Sequence, residues 1–136
     1  MLYMLDTNIV SYLLERNETV VANFDSVFFQ NEFAISNVVQ YEIMRGILYS
    51  QSKRLQNYFE IFCKHISVIP ISDADFMQAA QIYAVLRRKG KLVEDADIFI
   101  GASAITNHAV LVTNNEEHFR RIDGLKIENW LKPQLT

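Results

Sequence analysis

The sequence predicts an α/β fold: a mainly parallel central sheet of about five strands in a three-layer α/β/α sandwich. Two observations carry that prediction. Short apolar runs of strand character alternate with stretches whose apolar residues recur at helical spacing, and the connections are long enough for crossovers, which join strands in parallel. A third observation bounds it: no repeat and no Gly/Pro-rich linker interrupts the 136 residues, which hold only 4 Gly and 2 Pro, so residues 1–136 read as a single domain.

The first run, MLYML, is a strand that stops on Asp6, Thr7 and Asn8. Thr7 or Asn8 can cap a helix over residues 9–14, and Asn17 a second helix whose positions Val20, Val21, Phe24, Val27 and Phe28 keep helical spacing. Residues 33–35 make a brief second strand. Ser36 caps a helix to about residue 50 with Val39, Ile43 and Ile47 on its apolar stripe, and residues 52–65 form another with Leu55, Tyr58, Phe59 and Phe62 inward. Residues 66–69 are a third strand ended by Pro70. Ser72 caps a long helix through Phe76, Ala80, Tyr83 and Leu86, which Gly90 terminates after Arg87, Arg88 and Lys89 have faced its negative end. Ile98, Phe99, Ile100, Ala102, Ala104 and Ile105 leave the next helix no usable polar face, so it should be the most buried. Asp95 and Asp97 stand at its mouth and Asn107 at its end. Residues 109–112 are a fourth strand, 113–115 a loop, 116–121 a short helix and 125–127 a fifth, edge strand.

Half of the residues are hydrophobic and 21% are charged, a composition that folds rather than staying disordered. No apolar run approaches the roughly 20 residues of a membrane span, and the start lacks a basic segment followed by a long apolar one, so a cytoplasmic protein without membrane partners is expected. Cys63 is the only cysteine and sits among Ile61, Phe62 and Ile66, which argues for an inert buried thiol and against redox or cysteine-nucleophile chemistry. A net charge of −3 excludes binding of nucleic acid by the chain's overall charge. It does not exclude a nuclease, whose own acids lower the net charge while bound metal and a few placed cations meet the phosphates.

The chemistry lies in three acids on different elements. A short apolar strand that ends on a carboxylate is how an open α/β sheet delivers an acid to the crevice at its strand ends, and Asp6 does this with no structural partner evident in the sequence. Glu42 stands at the margin of an apolar helical stripe, one turn from Val38 and Gly46, where a charge needs a partner; an ion pair with Arg45 is the plainer reading. Asp97 opens the buried helix and has a plainer reading as its cap or dipole partner. Converging, the three make an oxygen-only site that selects a hard ion, Mg²⁺ or Mn²⁺, and such an ion with an activated water points to phosphodiester hydrolysis.

The segments LDTNIVSYLL, ISNVVQYEIMRG, DADIFIGASA, LVTNNEEHF and IDGLKIENW fall in order along nearly the whole chain. With them the chain resembles PIN-domain ribonucleases, and more narrowly the VapC-type toxins of toxin–antitoxin pairs. The resemblance carries the family's acid cluster onto Asp6, Glu42 and Asp97. It makes Thr7 and Asn8 residues that steady the first acid, Ser36 a hydroxyl at a helix entrance, and Thr113 a hydroxyl near the metal. It implies a PIN-like sandwich, Mg²⁺- or Mn²⁺-dependent endonucleolytic cleavage of tRNA or another RNA of translation, neutralisation by a small VapB-type antitoxin, and a homodimer.

One position departs from the family: Asn115 stands where many PIN nucleases have a fourth acid. Its amide oxygen can still bind water or metal but adds no charge, so one tightly held ion and at most a weak second are expected. Glu116 or Glu117 from the next turn, or Asp95, are possible extra acids, each with a plainer reading as a solvated acid at a helix start. For RNA contacts the clusters are Arg87, Arg88, Lys89 and Lys91; Lys53 and Arg54; and Arg120 and Arg121, the last favoured because they follow the catalytic loop. His118 is assigned no role, since a metal-activated water needs no histidine. Phe24, Phe28, Phe29, Tyr58, Phe59 and Phe62 exceed what a small core needs, and those left over could line a groove for an amphipathic antitoxin helix.

The expected function is therefore a metal-dependent endoribonuclease toxin in which Asp6, Glu42 and Asp97 fix the ion while Thr113 and Asn115 position water or phosphate. Two other readings stand beside it: a phosphohydrolase that forms an aspartyl-phosphate on Asp6, and a non-catalytic PIN-like module that has lost its metal through Asn115.

Overall fold

In the computed structural model, which describes residues 1–134, the first strand made is the central one. Strand β1 (Leu2–Leu5) lies between β2 (Glu32–Ser36) and β4 (Val110–Val112), and the full order is β3-β2-β1-β4-β5, with β3 (Ser67–Ile69) and β5 (Lys126–Glu128) at the edges. All four pairings are parallel. Tyr3, Met4 and Leu5 of β1 and all three residues of β4 are buried, which is why these strands read as unbroken apolar runs rather than alternating ones.

Helices supply the crossovers. α1 (Thr7–Leu14) and α2 (Glu18–Val27), followed by a 3₁₀ turn (Phe28–Gln30), lead from β1 to β2; α3 (Asn37–Ser50) and α4 (Lys53–Lys64) lead from β2 to β3. α5 (Asp73–Arg88) and α6 (Asp95–Thr106) then carry the chain across to β4, and the one-turn α7 (Glu116–Phe119) leads to β5. Because the chain runs outward from β1 to β3 and then returns to β1's other side, the strand order reverses between β1 and β4. In open α/β sheets that reversal leaves a crevice at the carboxyl ends of the two strands, and ligands bind there.

The elements agree with the sequence reading, with local differences. Asp6, rather than Thr7 or Asn8, caps α1: it is extended at φ −73° and its own carboxylate accepts the N–H of Thr7. The short helix after β4 ends at Phe119 rather than at residue 121, and β5 begins one residue later than expected. Half of α6 is buried, including Ile98, Ile100 and Ala102 to Ala104, as its lack of a polar face required. At Gly101 a Cβ would lie 2.9 Å from Ile122, so the missing side chain lets α6 approach the segment after α7. Buried Asp75 completes a capping box with Ser72 at the start of α5 and accepts a hydrogen bond from Thr106, tying α5 to α6.

Among the described residues most of the aromatic side chains of α2 and α4 pack together rather than line one groove. Phe24 and Phe28 pack with Tyr3, Phe33 and Trp130 in a ring cluster that Phe62 joins from α4, so these half-buried rings cover the edge of the core. Phe59 is buried, and Phe29 and Tyr58 point separately into solvent. An apolar groove lies elsewhere, between α1, α3 and α4, where Leu14, Ile43, Ile47 and Leu55 line a cavity of about 210 Å³. Among the described residues no helix is long and apolar enough to cross a membrane.

Candidate active site

Asp6 leaves the end of β1 into the crevice between β1 and β4 and is almost wholly buried, at 4% exposure. Both of its oxygens are engaged: the Thr7 N–H donates to Oδ1 at 2.8 Å and the Thr113 hydroxyl to Oδ2 at 2.7 Å. Thr113, just past β4, is buried as well, and its hydroxyl accepts the Asn115 N–H at 2.9 Å. The backbone locks the same corner, with Asp6 N–H on the Val112 carbonyl and Thr113 N–H on the Glu128 carbonyl, both at 2.9 Å. Asn8 closes it from the other side, its Oδ1 accepting the Asn114 N–H at 3.2 Å. The first acid is thus held by its neighbours on two adjacent strands rather than by a counter-charge.

The other two acids reach the same cleft from helices. Glu42 on α3 accepts the Thr7 hydroxyl at 2.6 Å and faces Arg45 at 3.6 Å, so the plain ion pair and the site role coexist. Asp97, in the first turn of α6, lies 3.4 Å from His118 Nδ1, which is itself 2.8 Å from the Asn115 amide nitrogen. Burial pushes the Asp6 carboxyl up from 3.8 to about 6, against the two hydrogen bonds that favour its charge, and the nearby Asp97 and Glu42 push it the same way. Asp97 is likewise raised by burial, opposed by His118, and raised further by Glu42 and Glu94. The acids sense one another across a cleft of about 460 Å³ lined also by Ser11, Tyr12, Glu15 and Asn115.

A cation fits this arrangement in a particular way. Among the described residues the cleft is lined by four carboxylates, Asp6, Glu15, Glu42 and Asp97, and by no basic residue; burial first, and repulsion between acids second, raise Asp6 and Asp97, which is the setting of a functional site. Yet among the described residues no three acidic, histidine or cysteine side chains stand close enough to grip one ion directly. The donor set therefore suits a hard ion that takes one or two carboxylates and keeps most of its water, as Mg²⁺ does, rather than an ion enclosed by protein.

Other residues named from the sequence fall outside the cleft. Ser36 is buried and caps α3 through the Val39 N–H at 3.3 Å, so it supports Glu42 only by starting its helix. Asp95 points to solvent. Glu116 is taken by Lys132 at 2.7 Å, Arg120 at 2.8 Å and Asn129 at 3.0 Å, which hold its carboxyl below the usual range, and it does not line the cleft. Arg120 and Arg121 line a different cleft with Lys89 and Lys91. Conversely, sequence reasoning passed over Glu15 and set aside His118, which the structure places against Asp97 and Asn115. Glu15 had a signal: Thr7, Ser11 and Glu15 recur every four residues and so share one face of α1.

A five-stranded parallel sheet of order 3-2-1-4-5 with acids gathered at the reversal of strand order defines the class, and the sequence profile of the PIN domain matches residues 3–125. The chain is 34% identical over 134 residues to Ribonuclease VapC2 of Rickettsia felis, covering 97% of this chain and all of that one. It is 32% identical over 129 residues to the tRNA(fMet)-specific endonuclease VapC of Shigella flexneri, covering 94% and 97%. In structure it superposes on VapBC2 from Rickettsia felis bound to a DNA fragment from their promoter with a TM-score of 0.87 and 33% identity, over 96% of this chain and 99% of that one. The chain belongs to the VapC family of PIN-domain proteins.

Proposed function

We propose that the protein is an endoribonuclease toxin that cuts an RNA of translation, a tRNA being the first candidate, and that a VapB-type antitoxin holds it in check. The observation that carries this reading is the crevice itself: Asp6, Glu42 and Asp97 come from three elements to one cleft at the switch of strand order, where Glu42 adds to the burial that raises the proton affinity of Asp6 and Asp97. The relatives named above are a ribonuclease and a tRNA endonuclease over nearly their full length, which supports the same reading.

Asp6, Glu42 and Asp97 are the residues that would hold Mg²⁺ or Mn²⁺, with Glu15 a fourth carboxylate in the same cleft. When bound, such an ion activates water at neutral pH and shields the phosphate's charge. The chain's own part is to hold these groups still. Thr7 and Thr113 fix the Asp6 carboxylate before substrate arrives, so no reorganisation is left for the reaction. Thr7 also fixes Glu42, and Thr113 orders the Asn115 backbone, presenting the Asn115 amide to phosphate or water. A phosphoryl-enzyme at Asp6 is less supported, because the relatives that match over nearly the whole chain are nucleases.

For the antitoxin, the apolar groove between α1, α3 and α4 offers a seat for an amphipathic helix, and it opens onto Thr7, Ser11, Glu15 and Glu42 of the acid cleft. We extend the reading to a cytoplasmic protein that pairs with a second copy; Phe76, Met77 and Tyr83 leave apolar surface on α5 for such a contact. The deciding experiment is expression of the chain alone, with and without its antitoxin, followed by mapping of new RNA ends. Discrete cuts that vanish with antitoxin or with Asp6→Asn are expected; growth arrest without new RNA ends would sink the assignment.

A further inference from the structure

The cations of this acidic protein gather in a second cleft. Lys89, Lys91, Arg120 and Arg121 line a cavity of about 690 Å³ with only Glu117 and Asp123 as acids. The basic residues come from two segments 30 residues apart that the fold brings together. Gly90, at φ +66°, turns the chain at the end of α5, and the Arg121 guanidinium donates to the carbonyls of Lys91 at 3.5 Å and Leu92 at 3.2 Å. Arg87 and Arg88 in the last turn of α5 are accounted for by the helix's negative end. Lys91 lies beyond that helix and makes no ion pair among the described residues. Arg120 is 68% exposed in its pair with Glu116, and Lys89 faces Asp123 at 3.8 Å; such surface pairs are worth little and exchange readily for phosphate.

The two clefts share a wall. Asn115, at the start of α7, lines the acid cleft, and Arg120 and Arg121, just past its end, line the basic one, so a four-residue helix about 6 Å long separates them. A cleft of four carboxylates repels the polyanion it must admit, so attraction has to come from beside it. We propose that the basic cleft is a second site for the RNA strand, in which Lys91 and Arg120 hold phosphates flanking the bond placed in the acid cleft. Arg121 is its positioning residue, gripping the backbone that carries Lys91. The inference rests on the ribonuclease reading of the acid cleft and names how that site takes hold of its substrate.

The test is the double variant Lys91→Ala/Arg120→Ala, both at exposed positions, with folding checked by circular dichroism. Binding of a labelled single-stranded RNA long enough to span both clefts is measured in chelator, so that it is not cut, across a range of salt. The expected result is affinity about five- to tenfold weaker at low salt and a slope of log affinity against log salt shallower by about 1.4, two phosphates at about 0.7 each. With divalent metal, KM should rise and kcat hold, and a dinucleotide too short to reach the basic cleft should be handled as by the wild type. An unchanged slope and affinity in the double variant would overturn the proposal, as would unchanged RNA binding with loss of antitoxin binding, which would make the cleft a protein site. The expected salt pattern without any cleavage by the wild type would overturn the ribonuclease reading and leave the second RNA site standing.

Discussion

The acid cleft and the basic cleft share a one-turn helix as their wall and are built by opposite means. The acid cleft uses short side chains at strand ends and helix starts, Asp6, Thr7, Thr113 and Asp97, each with a fixed partner. The basic cleft uses long side chains, Lys89, Lys91 and Arg120, at or just beyond the ends of helices, held by exposed pairs or, among the described residues, by none. A group that must meet a reacting atom loses its effect when it shifts by an ångström, whereas a group that attracts a phosphate from solution works over several ångströms. Burial is therefore spent on the first and solvent exposure on the second.

The difference is open to test. Asp6→Asn should lower the cleavage rate on the order of 10³-fold while making the metal-free protein more stable. Between pH 3.8 and about 6 the folded chain holds a proton on Asp6 that the unfolded chain has lost, so stability falls as pH rises through that window. The deficit at neutral pH is about 3 kcal/mol, which Asn does not incur. Melting curves should show the gain near pH 8 and its disappearance near pH 4; a variant less stable at both would refute the electrostatic account. Thr113→Val removes the donor to Asp6 and the acceptor for Asn115, and should cost about 10–100-fold in rate and about 1–3 kcal/mol in urea unfolding. Retention of both would mean that Asp6 needs no such support.

Mg²⁺ or Mn²⁺ at about 100 times its Kd should add about 2.7 kcal/mol to the wild type, and little to Asp6→Asn. Equal shifts in the two would place the ion elsewhere. The smallest effect belongs to Ser36→Ala, which loses the cap of α3 and should cost about 1 kcal/mol with only a minor change in rate. A collapse of activity at unchanged stability would move Ser36 back among the groups that touch substrate.

Much of this was readable from the residues. β1 was visible as an apolar run ending in a carboxylate, and α6 as a helix with no polar face, because burial writes itself directly into residue type. Asp6 could be named because it ends an apolar strand with no partner, whereas Glu42 and Asp97 had plainer readings and joined it through the family resemblance. What joins them could not be read. The Thr113 hydroxyl and Asp6 are 107 residues apart in the chain and meet only because β1 pairs with β4. The merging of two basic clusters into one cleft likewise depends on where the segment after α7 packs against the end of α5. The aromatic residues read as mostly core with a remainder for a groove: Phe24, Phe28, Phe59 and Phe62 do pack inward, but the exposed Phe29 and Tyr58 are not where the apolar groove lies.

The central place of β1 also bears on how the protein is made. Synthesis delivers β1 first, but one of its two neighbours, β4, begins only at Val110. Until then Asp6 has neither the hydroxyl of Thr113 nor a sheet on its far side, and the nascent chain emerging from the ribosome carries no working cleft. The cleft is completed only once residues 110–113 have joined the sheet beside β1.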